Sequence, residues 1–129
     1  MIPIDELSSI AIEEAIAIHR EFGPGLFETG YESVLCGRLR QRGLNVERQV
    51  QGKAVFDGVD YDPAFKIDLL VDQRLVLEIK TVERLGKVHM KQLLTYLRLL
   101  KQPVGLLLNF SEATMKDGIR RVVNDYKPS

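Results

Sequence analysis

Asp68, Glu78 and Lys80 are the residues of this chain whose types and spacing best support chemistry. In Lys66-Ile67-Asp68-Leu69-Leu70-Val71 and Leu75-Val76-Leu77-Glu78-Ile79-Lys80, the odd positions are apolar, and Lys66, Asp68, Glu78 and Lys80 stand at even ones. Side chains alternate across a strand, so the six odd residues are expected on one sheet face and the four charged ones on the other. With Asp72-Gln73-Arg74 as a hairpin loop, pairing is symmetric about Gln73 and Asp68 falls directly opposite Glu78. Residues so opposed have Cβ atoms about 4.5–5.5 Å apart. Two carboxylates there repel unless a cation lies between them, and Mg²⁺ is typically held by one or two carboxylates plus waters and a phosphate. Lys80, on the same face, could stabilise charge at a phosphorus centre or place an attacking water. The plain alternative is a half-solvated face whose acids and bases neutralise one another, but Lys80 would then have to offset two acids.

The elements around this pair follow from periodicity. Leu7, Ala11, Ala15, Ile18 and Phe22 recur at helical spacing between Asp5 and Phe22, and Gly23-Pro24-Gly25 ends the run. A second helix is expected from Phe27–Thr29 to a C-cap at Gly43, with Thr29 and Glu32 at capping-box spacing and Tyr31, Leu35 and Leu39 as its apolar stripe. A strand follows from Asn45 to Phe56, with Asp57-Gly58 as a hairpin turn. Further strands are expected over Pro63–Val71 and Leu75–Thr81, a helix over Leu85–Leu100, a buried strand over Val104–Phe110, and a last strand over Ile119–Val123 with a loose tail after Asn124. The order α, α, β, β, β, α, β, β predicts an α/β or α+β sandwich around one sheet, the third and fourth strands parallel across the helical crossover.

A length of 129 residues fits a single domain, residues 1–129, and 45% apolar and 28% charged residues are an ordinary globular balance. Lys plus Arg and Asp plus Glu are 18 each, which argues against a generic polyanion-coating protein. The charges are nonetheless blocked: net −6 over residues 1–36, +4 over 37–56, −4 over 57–79, +5 over 80–101 and +1 over 102–129. The single Cys36 excludes an internal disulfide and fits a reducing compartment. No apolar run approaches the roughly 20 residues of a membrane span, and the first 14 residues hold four acids and no Lys or Arg, unlike a signal peptide. A cytoplasmic location with no membrane association is the expectation.

Three motifs stand in order. Gly25-Leu26-Phe27-Glu28-Thr29-Gly30-Tyr31 resembles the GxxExxY signature, Asp68 with Glu78-Ile79-Lys80 resembles the D…ExK core of the PD-(D/E)XK nuclease superfamily, and Gln92-Leu93-Leu94-Thr95-Tyr96 resembles the QxxxY helix of its RecB-like branch. A lone ExK means little; the ordered set over residues 8–125 is specific. The resemblance implies a restriction-endonuclease-like α-β-β-β-α-β core, a mixed sheet flanked by helices. It also implies Mg²⁺, with Mn²⁺ able to substitute, bound by Asp68, Glu78 and the Ile79 carbonyl, and a lysine, here Lys80, supporting the nucleophilic water. Lys66-Ile67 precedes Asp68 where the superfamily name has Pro, which is not a ligand.

The second helix is expected to add an acid. Glu28, Tyr31, Glu32, Leu35 and Leu39 share one face, where an unpaired carboxylate is costly. The superfamily's helix Glu commonly lies near the metal, about three turns before the helix-ending Gly, so the resemblance implies Glu32, 11 residues before Gly43, as a further metal residue in preference to Glu28. The competing roles are a capping-box partner for Glu32 and a dipole partner for Glu28. Gln92 could orient a metal-bound water or phosphate, and Tyr96 could donate to a phosphate oxygen. Lys87, Lys91, Arg98, Lys101 and the Arg38–Arg42 cluster could hold a nucleic-acid backbone. His89 is expected at the surface and His19 between helices, and two His without nearby Cys do not make a zinc site.

The expected function is a Mg²⁺-dependent endo- or exonuclease whose partner is nucleic acid, DNA first, with Glu32, Asp68, Glu78, Lys80 and Gln92 catalytic, and a homodimer compatible with the family. The alternatives are a non-catalytic nucleic-acid- or protein-binding module on the same fold, and a structural subunit of a larger complex.

Overall fold

A computed structural model describes residues 1–126. Two helices, α1 (Ile4–Phe22) and α2 (Glu28–Gln41), precede strands β1 (Val46–Phe56), β2 (Val59–Val71) and β3 (Leu75–Lys80). Helix α3 (Lys87–Leu100) crosses to β4 (Val104–Asn109), and a 3-10 turn at Lys116–Gly118 leads to β5 (Ile119–Val123). The five strands form one sheet in chain order. β3 and β4 are parallel, as the helical crossover predicts, and the other pairs are antiparallel. The fold is mixed α/β and matches the restriction-endonuclease-like arrangement anticipated.

The sheet separates two cores. On one side α1 and α2 cover Leu69, Val71, Leu75, Leu77 and Ile79 with Leu7, Ala11, Ala15, Ile18, Leu35 and Leu39. On the other, α3 lays Leu93 and Leu97 over Phe65, Ile67, Leu70, Val76 and Leu107. Ile67 therefore departs from the expected six-residue face: it packs beneath α3, while Leu69 and Leu77 pack beneath α1 and α2. The reset lies at Gln49 and Asp68. Pairing runs Arg48↔Leu69 and then Val50↔Ile67, omitting the Gln49–Asp68 step. Gln49 has φ of 52°, a left-handed backbone inside a strand, which costs a side-chain-bearing residue about 1–2 kcal/mol. The alternation of both strands changes phase there, so one hairpin serves two cores.

The β2–β3 register is the one that symmetry about Gln73 requires, with Leu69↔Leu77, Leu70↔Val76 and Val71↔Leu75. β3 meets β2 only at these residues, so beyond Asp68 the β1–β2 hairpin continues as a two-stranded ribbon. β2 starts at Val59 rather than Pro63, because the left-handed Asp57-Gly58 turn closes tightly enough to pair Phe56 with Val59. The ribbon tip exposes Val55, Phe56, Val59 and Tyr61.

The helix ends were partly anticipated. Gly43, with φ of 84°, follows α2, and the Leu44 N–H reaches the Leu39 carbonyl at 3.2 Å, a Schellman closure. The expected Thr29–Glu32 capping box is absent. α2 begins at Glu28, within the expected Phe27–Thr29 window, but its cap is Phe27, so Thr29 lies inside the first turn and Glu32 is drawn inward to other partners. α3 begins at Lys87, two residues after the expected Leu85, because His89 Nδ1 accepts the Gly86 N–H at 2.9 Å. His19 bonds the Glu112 carbonyl through Nε2 at 2.8 Å rather than bridging helices. The expected loose tail is anchored through Tyr126, whose hydroxyl donates to Asp5 at 3.0 Å; residues 127–129 lie outside the described residues.

Tyr31 joins core to loop. Its ring is fully buried and stacks on Phe110, centroids 4.2 Å apart. Its hydroxyl accepts the N–H groups of Gly25 and Leu26, at 2.9 and 3.2 Å, and donates to the Gly23 carbonyl. Three backbone groups of the Gly-Pro-Gly loop thus depend on one oxygen. Tyr31→Phe is expected to lower stability by about 1–3 kcal/mol, read as a lower urea midpoint with an unchanged m-value; an unchanged midpoint would show that the loop needs no such anchor.

Candidate active site

The candidate site forms where β2 leaves β3. One residue past the Leu69↔Leu77 pair, Asp68 stands beside Glu78, as the register dictates. Asp68 Oδ2 accepts the Ile79 N–H at 2.7 Å, which ties the carboxylate across the strand junction. Glu78 is buried, and its Oε1 has no hydrogen-bond partner. Burial, then the Asp68 charge and a side-chain hydrogen bond to Asp68, push the Glu78 carboxyl up to about 9, against the opposing pull of Lys80. Without a cation, burial and the Asp68 charge favour the protonated form of the Glu78 carboxyl.

Lys80 ends β3, half-buried, in register with Asn109 of β4. The chain beyond it is fixed by Asn109, which is fully buried. Asn109 Oδ1 accepts the Val82 N–H at 3.1 Å, and Nδ2 donates to the Val82 carbonyl at 2.8 Å. The Lys80 carbonyl accepts the Phe110 N–H at 3.0 Å. The parallel pairing of β3 with β4 therefore sets where Lys80 leaves the sheet.

α2 brings two acids to this corner by different means. Glu32 is 4% exposed, and its carboxylate is occupied: Oε2 accepts Arg48 Nη2 at 2.8 Å and Nε at 3.1 Å, and Oε1 accepts Gln49 Nε2 at 2.5 Å. Gln49 Nε2 also reaches Asp68 Oδ1 at 3.4 Å, so Glu32 communicates with Asp68 through an amide. Glu28, in the first turn of α2, lies within the field of Lys80, Asp68 and Glu32. Desolvation raises its pKa, Asp68 and Glu32 add to the rise, and Lys80 and the Thr81 backbone oppose it. The structure thus places Glu28 nearer to Lys80 in electrostatic terms than the preference for Glu32 anticipated. Its signal was present as the acid of the GxxExxY stretch. Arg48 and Gln49 were not singled out, and nothing local in the sequence marks them.

From α3, Tyr96 stacks on Phe65 with centroids 5.4 Å apart, and burial followed by the Glu78 and Asp68 charges raises its phenol pKa. Gln92 is exposed one turn earlier, and Lys87 and Lys91 are exposed on the same helix. Arg38 is elsewhere: its guanidinium is paired with Glu21 of α1, and Arg42 with Glu13 and Glu14 at 3.2 and 3.1 Å. Among the described residues no ion pair engages Lys87, Lys91, Arg98 or Lys101, so positive charge on α3 is uncompensated.

A family model of the PD-(D/E)XK nuclease superfamily matches residues 5–122. The chain belongs to the PD-(D/E)XK nuclease superfamily. No curated protein and no solved structure gives a significant match. The superfamily typically uses divalent metal ions, and the donors here can be weighed against that. Among the described residues no three His, Cys, Asp or Glu side chains converge on one point. What does converge is two carboxylates, one with an unpartnered buried oxygen, beside the backbone of Ile79. The two carboxylates are hard oxygen donors, and a Mg²⁺ completed by waters is typically held by one or two such groups. The site fits such an ion.

The raised Glu78 carboxyl gives the nuclease-superfamily domain a pH signature. A group whose folded pKa exceeds its unfolded value binds its proton more tightly in the native state, so stability is full below about 4.5 and lost as pH rises toward 9. Metal-free protein is therefore expected to melt at progressively lower temperature between pH 5 and 9 on the order of one proton's linkage. Glu78→Gln should flatten that slope. A slope that survives the substitution would place the proton elsewhere.

Proposed function

We propose that the chain is a Mg²⁺-dependent nuclease that hydrolyses phosphodiester bonds, with DNA as its substrate class and Mn²⁺ able to replace Mg²⁺. The observation that carries this reading is the buried, unpartnered Oε1 of Glu78 beside the Asp68 carboxylate, with Lys80 two residues on. A polar face built only to be neutral would not leave that oxygen bare. Asp68, Glu78 and the Ile79 carbonyl would hold the ion. When bound, it supplies Lewis-acid polarisation of the phosphate and a lowered pKa for the attacking water.

The remaining work falls to the chain. Lys80 offsets charge developing on the phosphate and orients the water; its backbone leaves the sheet beside the turn that Asn109 holds at Val82. Glu28 lies within the field of Lys80 at the start of α2 and suits the helical acid of the site, with Glu32 acting behind it through Gln49. Tyr96, close to both carboxylates, is suited to donate to a phosphate oxygen, and Gln92 shares its helix. Lys87 and Lys91 supply unpaired positive charge for the substrate backbone. Arg38, engaged by Glu21, is a weaker candidate for that role. Gly25, Glu28 and Tyr31 each have a distinct task in the loop and site, which supports assignment to the GxxExxY branch.

A binding module would need phosphate contacts but no acidic pair beside them, so the acids favour catalysis. Cleavage of single-stranded, double-stranded and branched DNA is expected with Mg²⁺ or Mn²⁺ and not with EDTA. Glu78→Ala should reduce it at least about 100-fold while the fold persists by circular dichroism. Mg²⁺ should raise the melting temperature of the parent and not of Asp68→Asn. Uncut substrates under Mn²⁺, with no metal-dependent melting shift, would overturn the proposal.

A further inference from the structure

Gln49 occupies a backbone conformation for which it is poorly suited. Its φ of 52° lies in the region that favours glycine, inside a strand, at the step where pairing with Asp68 is omitted. A glycine would hold that backbone without cost, so the side chain present needs a reason. The reason lies at its tip. Nε2 carries two hydrogens and faces two carboxylate oxygens, Glu32 Oε1 at 2.5 Å and Asp68 Oδ1 at 3.4 Å. Both neighbours are acceptors, which settles which end of the amide points at them.

The far end of this relay is buried and doubly hydrogen-bonded. Glu32 is buried, and Arg48 holds its other oxygen through two nitrogens, leaving Oε1 for the amide. The near end is Asp68, whose second oxygen is held by the Ile79 N–H at 2.7 Å. A donor therefore lies at each oxygen of Asp68. One comes from β3 and one from the Gln49 amide, which is itself held in place by a buried acid of α2.

We propose that Gln49 is a positioning residue: anchored by the Arg48–Glu32 pair, its amide orients the Asp68 carboxylate for a divalent cation. This rests on the metal-site reading above and extends it to three residues that touch neither ion nor substrate. Outer partners of metal-binding carboxylates commonly set metal affinity by about 10–100-fold. The arrangement also explains why Glu32 is buried on a packing face without itself reaching the cation. Its charge is met by Arg48, and its geometry is passed on by Gln49.

Two substitutions separate side chain from backbone. Gln49→Gly relieves the left-handed φ and removes the amide, and Gln49→Met keeps the length and removes only the donors. Two readouts are taken on each: Mn²⁺ affinity by electron paramagnetic resonance, and, in metal-free protein, hydrogen exchange of the Ile79 amide relative to Leu77. Both variants are expected to remain folded, to bind Mn²⁺ at least about 10-fold more weakly, and to exchange Ile79 selectively faster as Asp68 swings away. Parent-like Mn²⁺ affinity and Ile79 protection in both variants would overturn the proposal. So would a loss in Gln49→Gly alone, which would assign the effect to the backbone. Should the parent bind no Mn²⁺ and cleave nothing, the nuclease reading fails, and the metal-free exchange of Ile79 still decides the role of Gln49.

Discussion

Two carboxylates held against each other, one buried and one half-buried, are the constraint around which this fold is arranged. Asp68 and Glu78 repel when both are ionised, and burial of Glu78 makes its charge harder still to sustain. A hairpin left to itself would relax by turning one acid outward. Here it cannot, because β3 is locked between β2 and β4, and the Ile79 amide and the Gln49 side chain both hold Asp68. The stability forgone at this corner is drawn from the two apolar cores on either face of the sheet.

The charge blocks of the sequence acquire meaning in three dimensions. The acidic first third and the basic stretch after it face each other across α1, α2 and β1, where Glu21 meets Arg38, Glu13 and Glu14 meet Arg42, and Glu32 meets Arg48. The exposed pairs among them contribute little to stability individually, but they set part of each block against the other. The basic block of α3 has no such counterpart among the described residues. Lys87, Lys91 and Arg98 therefore stand unpaired on the helix whose Tyr96 lies near both carboxylates, a distribution consistent with the proposed approach of a polyanion.

Much of this was legible beforehand. A three-residue loop set the β2–β3 register, a helix between two apolar strands set their parallel pairing, and Gly43 set the end of α2. Each depends on residues close in sequence. What escaped depends on residues far apart. Arg48 lies 16 residues from Glu32 and Gln49 lies 19 from Asp68, and no periodicity reports that they meet. The change of phase at Gln49 was hidden for the same reason: strict alternation predicts one face for Ile67 and Leu69, and only a left-handed residue on the neighbouring strand separates them. Glu28 illustrates a third kind of difficulty, because two acids on one helical face are equivalent by spacing and differ only in what the rest of the chain offers them.

The tip of the ribbon, beyond the buried Phe65, behaves differently from the sheet that bears it. Its strands pair only with each other, and Val55, Phe56, Val59 and Tyr61 have no second layer above them. Two-stranded hairpins are marginal in water, so this arm is the part of the sheet that frays first, by sub-global opening that leaves the two cores closed. A limited protease would nick it near the Asp57-Gly58 tip, and the severed halves would stay joined through the deeper pairs from Val46 to Gly52.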